Sequence, residues 1–370
     1  MGIRELPNGR TPQSSEPGDE RLVAACRQVL VDALQAPSPQ NRQPWKIQVT
    51  DTGFELYLDE SRVAVQTDPL ARQAHLALGS FLELCAIAAS TYGYMALIEL
   101  FPVGTDPLDA LGRSPVAVVA MRQVPDEPDP LAAYIAQRHS NRRAYDGPGA
   151  TASEITELTD CGGDGSVVVA NDHGLLRQLK TVLAEAMRID TTGEATHGEK
   201  VSMIRASDQA AAAAGDGFTY PNLGYTGRTR TLVEMLYPLR GAHSRWFRYG
   251  TMFVARRVLR SAPAVALLVS PGNTRVDQVE AGRTLLRTWL TATRLGLVCH
   301  PMCQVLQELP EQADTRASFQ GLLDEAMPGT QLPTALMATD VPTVQVVMRL
   351  GRATATPPSP RRSIDEVLAP

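Results

Sequence analysis

The sequence predicts an α+β protein whose chain carries two related halves, each a sheet packed on helices, so that one polypeptide imitates a dimer. Three observations lead there. The stretch 78–94, LGSFLELCAIAASTYGY, aligns without gaps on 281–297, AGRTLLRTWLTATRLGL, with Gly79 on Gly282, Leu82 on Leu285, Ala89 on Ala292 and Gly93 on Gly296. Strand-like runs surround both stretches. Between the halves lies a proline- and acid-rich segment, Pro125-Asp126-Glu127-Pro128-Asp129-Pro130, of a composition that breaks regular structure.

Taken in order, residues 1–18 are polar, hold Pro7, Pro12 and Pro17, and read as a disordered N-terminal tail. The first half, residues 19–124, offers strands at Trp45–Thr50, Phe54–Leu58 and Pro115–Met121 around the helix of 78–94. The second half, residues 125–370, offers Val167–Ala170, Ala264–Ser270 and Thr343–Leu350 around the helix of 281–297. Both helices are apolar all round with small residues on one face, the pattern of closely packed central helices. Each ends at a glycine, Gly93 or Gly296, in the position a helix C-cap favours. The second half alone inserts a long segment, about residues 190–260, and long insertions beside a site usually act as lids.

With 370 residues and 44% hydrophobic content the chain can bury a large core, and its length suits roughly two domains. A net charge of −5 argues against a general nucleic-acid binder, which needs a basic surplus. Lysine occurs only at Lys46, Lys180 and Lys200, which reads as codon bias and not as chemistry. The cysteines, Cys26, Cys85, Cys161, Cys299 and Cys303, are odd in number and scattered, so a reduced cytosol is expected in place of a disulfide framework. Cys299-His300-Pro301-Met302-Cys303 offers three metal ligands at most, and no second cysteine cluster completes a tetrahedral site, so no metal is expected. No charged-then-apolar leader opens the chain, and no stretch reaches the ~20 apolar residues of a membrane span. A cytoplasmic protein without stable membrane insertion is the expectation.

Two short segments carry the chemistry. Ala36-Pro37-Ser38-Pro39-Gln40-Asn41-Arg42-Gln43-Pro44-Trp45 is a turn stiffened by three prolines, which fix φ. Its Ser38 hydroxyl and its Asn41 and Gln43 amides lie beside an indole, a set that suits a flat heterocycle with polar edges. Arg138-His139-Ser140-Asn141-Arg142-Arg143 packs three guanidiniums around a serine and an asparagine, a set that suits phosphate. Together they describe the two ends of a flavin mononucleotide. Taken singly, the turn is also a structural lead into a strand, and the arginines are also a solvated helix face. Each set occurs once, which gives one complete site and one vestigial site per chain.

Three further features join these segments: the passage Gly296-Leu297-Val298-Cys299-His300-Pro301-Met302-Cys303-Gln304, the strand Gln345–Gly351, and the tail Pro358–Val367 with Arg361 and Arg362. By their order and spacing over most of residues 20–368, the chain resembles the FMN-dependent nitroreductase superfamily. Within it the resemblance is to the duplicated, single-chain branch called Acg-like. Ordinary members are homodimers with two flavins at the interface. One subunit supplies an Arg-Arg-Ser-x-Arg helix start, a proline-containing loop near the flavin N5 and a basic C-terminal arm. The other lends a Pro-Ser-x-x-Asn-x-Gln-Pro-Trp turn.

Carried onto this chain, the resemblance assigns the phosphate to Arg138, Ser140 and Arg142, with His139 where the family often has a second arginine. It places Pro301, Met302, Cys303 and Gln304 at the ring, Arg361 in the arm, and Ser38, Asn41 and Gln43 in the turn lent by the first half. A backbone N–H of Met302 or Cys303 is expected to face N5. Cys303 reads either as a redox thiol or as a small residue lining the ring. No arginine-rich start precedes Pro37 and no Asn-x-Gln-Pro-Trp turn follows Arg143, so the resemblance implies one FMN per chain and a monomer or weak homodimer.

The implied activity is NAD(P)H-dependent reduction of an electron-poor small-molecule acceptor, with no side-chain acid or base required for hydride transfer. The GxGxxG loop, Walker A lysine, GxSxG elbow and HExxH helix are absent, so a nicotinamide would visit the flavin and not occupy a domain of its own. A flavin-sequestering protein, and an FMN-dependent oxidase or dehydrogenase, are the alternatives. From Arg228 to Arg260 eight arginines (228, 230, 240, 245, 248, 256, 257 and 260) accompany the single acid Glu234. Such a stretch reads as a solvated face, a phosphate grip for NAD(P)H or an acidic-lipid contact. The insertion is expected to cover the flavin, with Tyr220, Tyr225, Trp246, Phe247 and Tyr249 stacking on the ring or filling the core.

Overall fold

Two four-stranded antiparallel sheets share one strand order. The first joins β1 (Trp45–Thr50), β2 (Gly53–Leu58), β3 (Tyr94–Leu100) and β4 (Ala117–Gln123) in the order β1-β2-β4-β3. The second joins β5 (Val167–Ala170), β6 (Ala264–Ser270), β7 (Val298–Pro301) and β8 (Thr343–Gly351) in the order β5-β6-β8-β7. The helices are α1 (Glu20–Ala33), α2 (Arg72–Thr91), α3 (Ala152–Asp160), α4 (His173–Thr192), α5 (Glu194–Val201), α6 (Asp208–Ala214), α7 (Gly227–Arg240), α8 (Arg245–Arg260), α9 (Arg275–Arg294), α10 (Ala313–Ala326) and α11 (Ile364–Val367). This computed structural model describes residues 20–124, 127–163, 166–240, 245–333 and 341–369, with the side chains of 236–240 and 245–247 excepted. The tail expected at residues 1–18 and the Pro125-Asp126 step of the expected linker lie outside the described residues.

The aligned helices meet at the centre. A Cβ on Gly79 would lie 1.8 Å from the Val279 carbonyl oxygen, and one on Gly282 would lie 2.1 Å from that of Leu76. The offset that maps Gly79 on Gly282 also maps Leu76 on Val279. Each glycine therefore meets the equivalent residue of the other helix, the reciprocity of a two-fold interface. Ser80 donates to the Gly282 carbonyl at 2.8 Å, and the buried Glu83 accepts from Arg283 at 2.9 Å and from Arg287 at 2.6 Å. Past the helix ends, Gly93 and Gly296 take φ of 76° and 69°, the left-handed conformation their places require. Among the described residues α2 is the one helix long and apolar enough to cross a bilayer, and it is buried at this crossing.

The two sheets are covered differently. Ile47, Phe54, Leu56 and Val119 of the first sheet pack on α1 and α2, in one core with Val279, Leu286 and Leu290 of α9. The second sheet is a middle layer, and β8 is buried along its whole length. Val265, Leu267, Val344 and Val347 face α4 and α10, while Ala264, Ala266, Leu268, Val346 and Met348 face α9. Alternate residues of β6 thus serve opposite cores, as the pleat dictates. The C-terminal arm crosses to the first half, where Ile364 and Val367 enter its core and the Ala369 amide donates to Ile47 at 2.7 Å.

Three segments differ from expectation. β3 and β7 are strands that the sequence reading did not separate from the helix ends before them. Residues 138–143 form neither a helix start nor a solvated helix face. They leave a 3₁₀ stretch, Pro130–Gln137, in extended form, with Asn141 donating to the Cys299 carbonyl at 2.9 Å. That single bond ties the segment to β7, and Arg138 is buried.

Candidate functional site

The proline-rich turn is strained where it was expected to be functional. Gln40, Asn41 and Gln43 have φ of 51°, 57° and 52°, left-handed values that residues with a Cβ adopt at a cost. Partners from three parts of the chain hold them there. Ser38 Oγ accepts the Gln43 amide at 2.9 Å. The Asn41 side chain donates to the carbonyls of Gly217 at 3.0 Å and Pro360 at 2.9 Å, and accepts from Arg361 at 2.9 Å. The Gln43 side chain donates to Gly215 at 2.8 Å and accepts the Arg362 amide at 3.0 Å. Asn41 and Gln43 thereby tie the turn to the insertion and to the C-terminal arm.

Beside the turn lies a cavity of about 380 Å³ between the halves, within the size range of small-molecule sites. Of the expected site residues Ser38, Ser140, Arg142, Pro301, Cys303 and Gln304 line it. Leu76, Ala77 and Ser80 of α2 form one wall, Trp289 of α9 another, and Phe218, Tyr220 and Tyr225 of the insertion a third. The inward face of α8, with Thr251, Val254, Ala255 and Val258, completes it. Tyr249, by contrast, is 60% exposed, and the side chains of Trp246 and Phe247 lie outside those described.

Asn41, Gln43, Arg138, His139, Met302 and Arg361 stand behind this lining. Arg138 and Arg361 converge on one carbonyl, that of Gln35, at 2.7 and 3.2 Å. The Arg138 guanidinium lies 4.7 Å over the Trp289 ring, which itself faces the cavity. Arg142 lies 4.4 Å over Phe218 and donates to Asn222 at 3.3 Å. Burial, with Arg361 adding repulsion, pushes Arg138 down to about 9. Burial, with Arg349 beside it, lowers Arg142 to about 10, and burial alone lowers Arg361 to about 10. Among the described residues no carboxylate contributes to any of the three. The Nε atoms of Arg138 and Arg361 and the Nδ1 of the half-buried His139 are buried without a partner. Cations drawn out of water without an acid are costly, and an anion bound beside the adjoining Arg138 and Arg361 would relieve them.

At the other end, the Met302 amide expected to face a ligand is already committed. It donates to Val347 at 2.7 Å, carrying the β7–β8 ladder one residue further, and its side chain is in the core. The Cys303 amide opens the 3₁₀ turn Cys303–Leu306, where no intrahelical carbonyl can accept it. Burial raises the Cys303 thiol, which donates to Val347 at 3.7 Å. That keeps it protonated and favours the lining role over a redox thiolate. Gln304 adds a buried Oε1 without a partner.

The sequence reading did not single out His300 and Arg349. They pair across β7 and β8, and the Arg349 guanidinium donates to His300 Nδ1 at 3.1–3.3 Å. Arginine only donates, so Nδ1 carries the lone pair and Nε2 the hydrogen. Burial, then Arg349 and Arg142, hold His300 well below its ordinary range, so this cavity residue is a neutral donor. Asp190 and Lys200 of the insertion, also unsingled, form an ion pair in the lining, and burial draws Lys200 down to about 7. Glu199 beside them anchors the insertion to the first half, accepting from the Gln66 and Thr67 amides at 3.0 and 3.1 Å.

No protein-family model matches the chain. It is 28% identical over 349 residues to "Putative NAD(P)H nitroreductase Rv3131" of Mycobacterium tuberculosis, covering 92% of this chain and 90% of that protein. It is 25% identical over 366 residues to "Uncharacterized protein Rv3127" of the same organism, covering 91% and 90%. Among solved structures it is similar to "a putative nitroreductase from anabaena variabilis", at TM-score 0.45 and 12% identity over 92% of this chain and 90% of that one. It is also similar to the FMN-dependent nitroreductase NfnB of Mycobacterium smegmatis in complex with NADPH, at TM-score 0.35 and 17% identity over 64% and 96%.

Proposed function

We propose that this chain is an FMN-dependent oxidoreductase of the nitroreductase superfamily, of the duplicated single-chain kind, with one composite flavin site and NAD(P)H as reductant of an electron-poor acceptor. One observation carries the reading: the buried Arg138 and the half-buried Arg142 and Arg361 stand beside a cavity with aromatic walls, and among the described residues no carboxylate acts on any of them. The mycobacterial relative, itself named a putative NAD(P)H nitroreductase, agrees with it. The reciprocal crossing of α2 and α9 supports descent from a duplicated half, and the free cysteines among the described residues support a reducing compartment.

The residues present fit the flavin. Arg138, Arg361 and Arg142, with Ser140, would hold the phosphate by charge-assisted hydrogen bonds. Ser38, Pro301, Cys303 and Gln304 would border the ring, with the Cys303 amide as a donor to its central edge. When bound, FMN supplies acceptance and return of a hydride between the nicotinamide and the acceptor. His300 keeps a hydrogen on Nε2 throughout the neutral pH range and offers a donor that does not titrate. The aromatic residues of the insertion and the inner face of α8 exclude water, acting as the lid.

That the insertion supplies much of the cavity wall favours a second reading, a flavin store whose cover keeps nicotinamide out. The deciding experiment is the visible spectrum of the purified protein, followed anaerobically on adding NADH or NADPH. A flavin band that bleaches supports the reductase. A band bleached by dithionite and not by either nucleotide supports the store. A colourless protein that does not take up added FMN overturns both.

A further inference from the structure

α8 has two working faces. Thr251, Val254, Ala255 and Val258 point into the cavity. Tyr249, Phe253, Arg256, Arg257 and Arg260 point outward. At 3.6 residues per turn these five fall within an arc of roughly 100°, opposite the cavity residues. Phe253 is 74% exposed and Tyr249 60%, the largest exposures of aromatic side chains among the described residues. α7 exposes Leu232 and Met235 beside Arg228 in the same manner.

The charged side chains on this outward face of α8 are all basic. Between α4 and α8 runs an open groove of about 750 Å³ lined by Arg177, Lys180, Arg256 and Arg260, with Glu185 as the one carboxylate lining it. Glu185 is itself paired with Arg188. Among the described residues Arg256, Arg257 and Arg260 enter no ion pair. Exposed aromatic side chains bordered by unpaired arginines on one helix face match the boundary between acyl chains and anionic headgroups. The net charge of −5 is thus distributed so that this face stands out as basic.

We propose that the outward face of α8, together with the basic groove beside it, docks the protein on an anionic lipid surface. Tyr249 and Phe253 enter the headgroup layer, and Arg256, Arg257 and Arg260 meet the lipid phosphates. The protein lies on the surface and does not span it. Because the opposite face of α8 lines the cavity, docking brings that cavity next to whatever dissolves in the lipid. The docking itself is independent of the flavin reading and is measured without it.

The test is flotation of the full chain with vesicles of phosphatidylcholine alone and of phosphatidylcholine mixed with phosphatidylglycerol. Binding is expected with the anionic vesicles, weakening as salt is raised. Arg256→Gln, Arg257→Gln and Arg260→Gln together should lower the partition coefficient roughly a hundredfold. Tyr249→Ser with Phe253→Ser should lower it about tenfold and, both residues being exposed, leave the melting temperature unchanged. Equal binding to both vesicle types, binding to neither, or wild-type binding by the arginine variant would each overturn the proposal. So would a concentration-dependent dimer that the two serine substitutions dissolve, because the rings would then cover a second copy of the chain.

Discussion

Replacing Arg138 with methionine distinguishes a structural arginine from one placed for an anion. Methionine keeps an unbranched apolar chain over Trp289 and removes the charge. The losses in the ligand-free protein are the hydrogen bond to Gln35 at 2.7 Å and the contact with the indole at 4.7 Å. These amount to roughly 1.5–3 kcal/mol and about 1 kcal/mol. Against them stands the penalty of a guanidinium pushed down to about 9 by burial and by Arg361, which is roughly 4–5 kcal/mol. The two sides nearly cancel, so the ligand-free variant should melt within a few degrees of the parent. FMN binding should instead lose a charge-assisted bond and weaken roughly ten- to a hundredfold. Titration of deflavinated protein by FMN fluorescence, with melting curves of both forms, measures the pair of effects. Arg143→Ala, outside the lining, is the control and should change affinity less. Equal losses from both variants, or a large fall in ligand-free melting temperature with affinity intact, would refute the reasoning.

Other consequences follow from the packing and the buried charges. Gly79→Ala and Gly282→Ala place a Cβ 1.8 and 2.1 Å from backbone carbonyls. Each should lower unfolding free energy by about 3 kcal/mol in denaturant melts, and a cost under ~1 kcal/mol would mean that the helices can part. His75 is buried, donates Nδ1–H to Ala71 at 2.7 Å, and is held near 3 mainly by burial and then by Arg275. Its folded value lies below its unfolded one, so its contribution is complete above about pH 6.5 and is lost as pH falls from there toward the folded value, at ~1.4 kcal/mol per unit. His75→Asn does not titrate, so the parent's stability relative to it should fall by about 2 kcal/mol from pH 7 to 5, and a constant difference would contradict this. If the insertion acts as the proposed lid, Tyr225→Ala with Val254→Ala thins it and should speed anaerobic bleaching by NADPH. Slower bleaching would assign these side chains to substrate binding.

Much of the fold was legible because interior strands and central helices carry strong patterns. β1, β5 and β6 start and end where the apolar runs do, and Gly79 and Gly282, one of the two aligned glycine pairs, proved to be where the backbones of the two helices meet. β3 and β7 were not legible. Both are sheet edges, β3 half-exposed without clean alternation and β7 four residues long with a proline. That omission hid a site feature, because His300 meets Arg349 only through the β7–β8 pairing. The Ser38–Trp45 turn and the Pro301–Gln304 passage could be read directly, since prolines and small polar groups announce themselves locally. The partners of Asn41 and Gln43 come from Gly215, Gly217 and the Pro360–Arg362 arm, far along the chain, and no local pattern foretells them. Asp190 lies in the last turn of α4 and Lys200 in the last turn of α5, and only the fold of these two helices brings them together.

The central claim, one composite flavin site per chain, is tested most directly by flavin content. FMN released by denaturation is quantified against protein after saturation and removal of excess. The account predicts one FMN per chain. Two per chain would show that the half without the Ser38–Trp45 turn's counterpart also binds. None after saturation would show that the guanidiniums of Arg138, Arg142 and Arg361 serve some other anion.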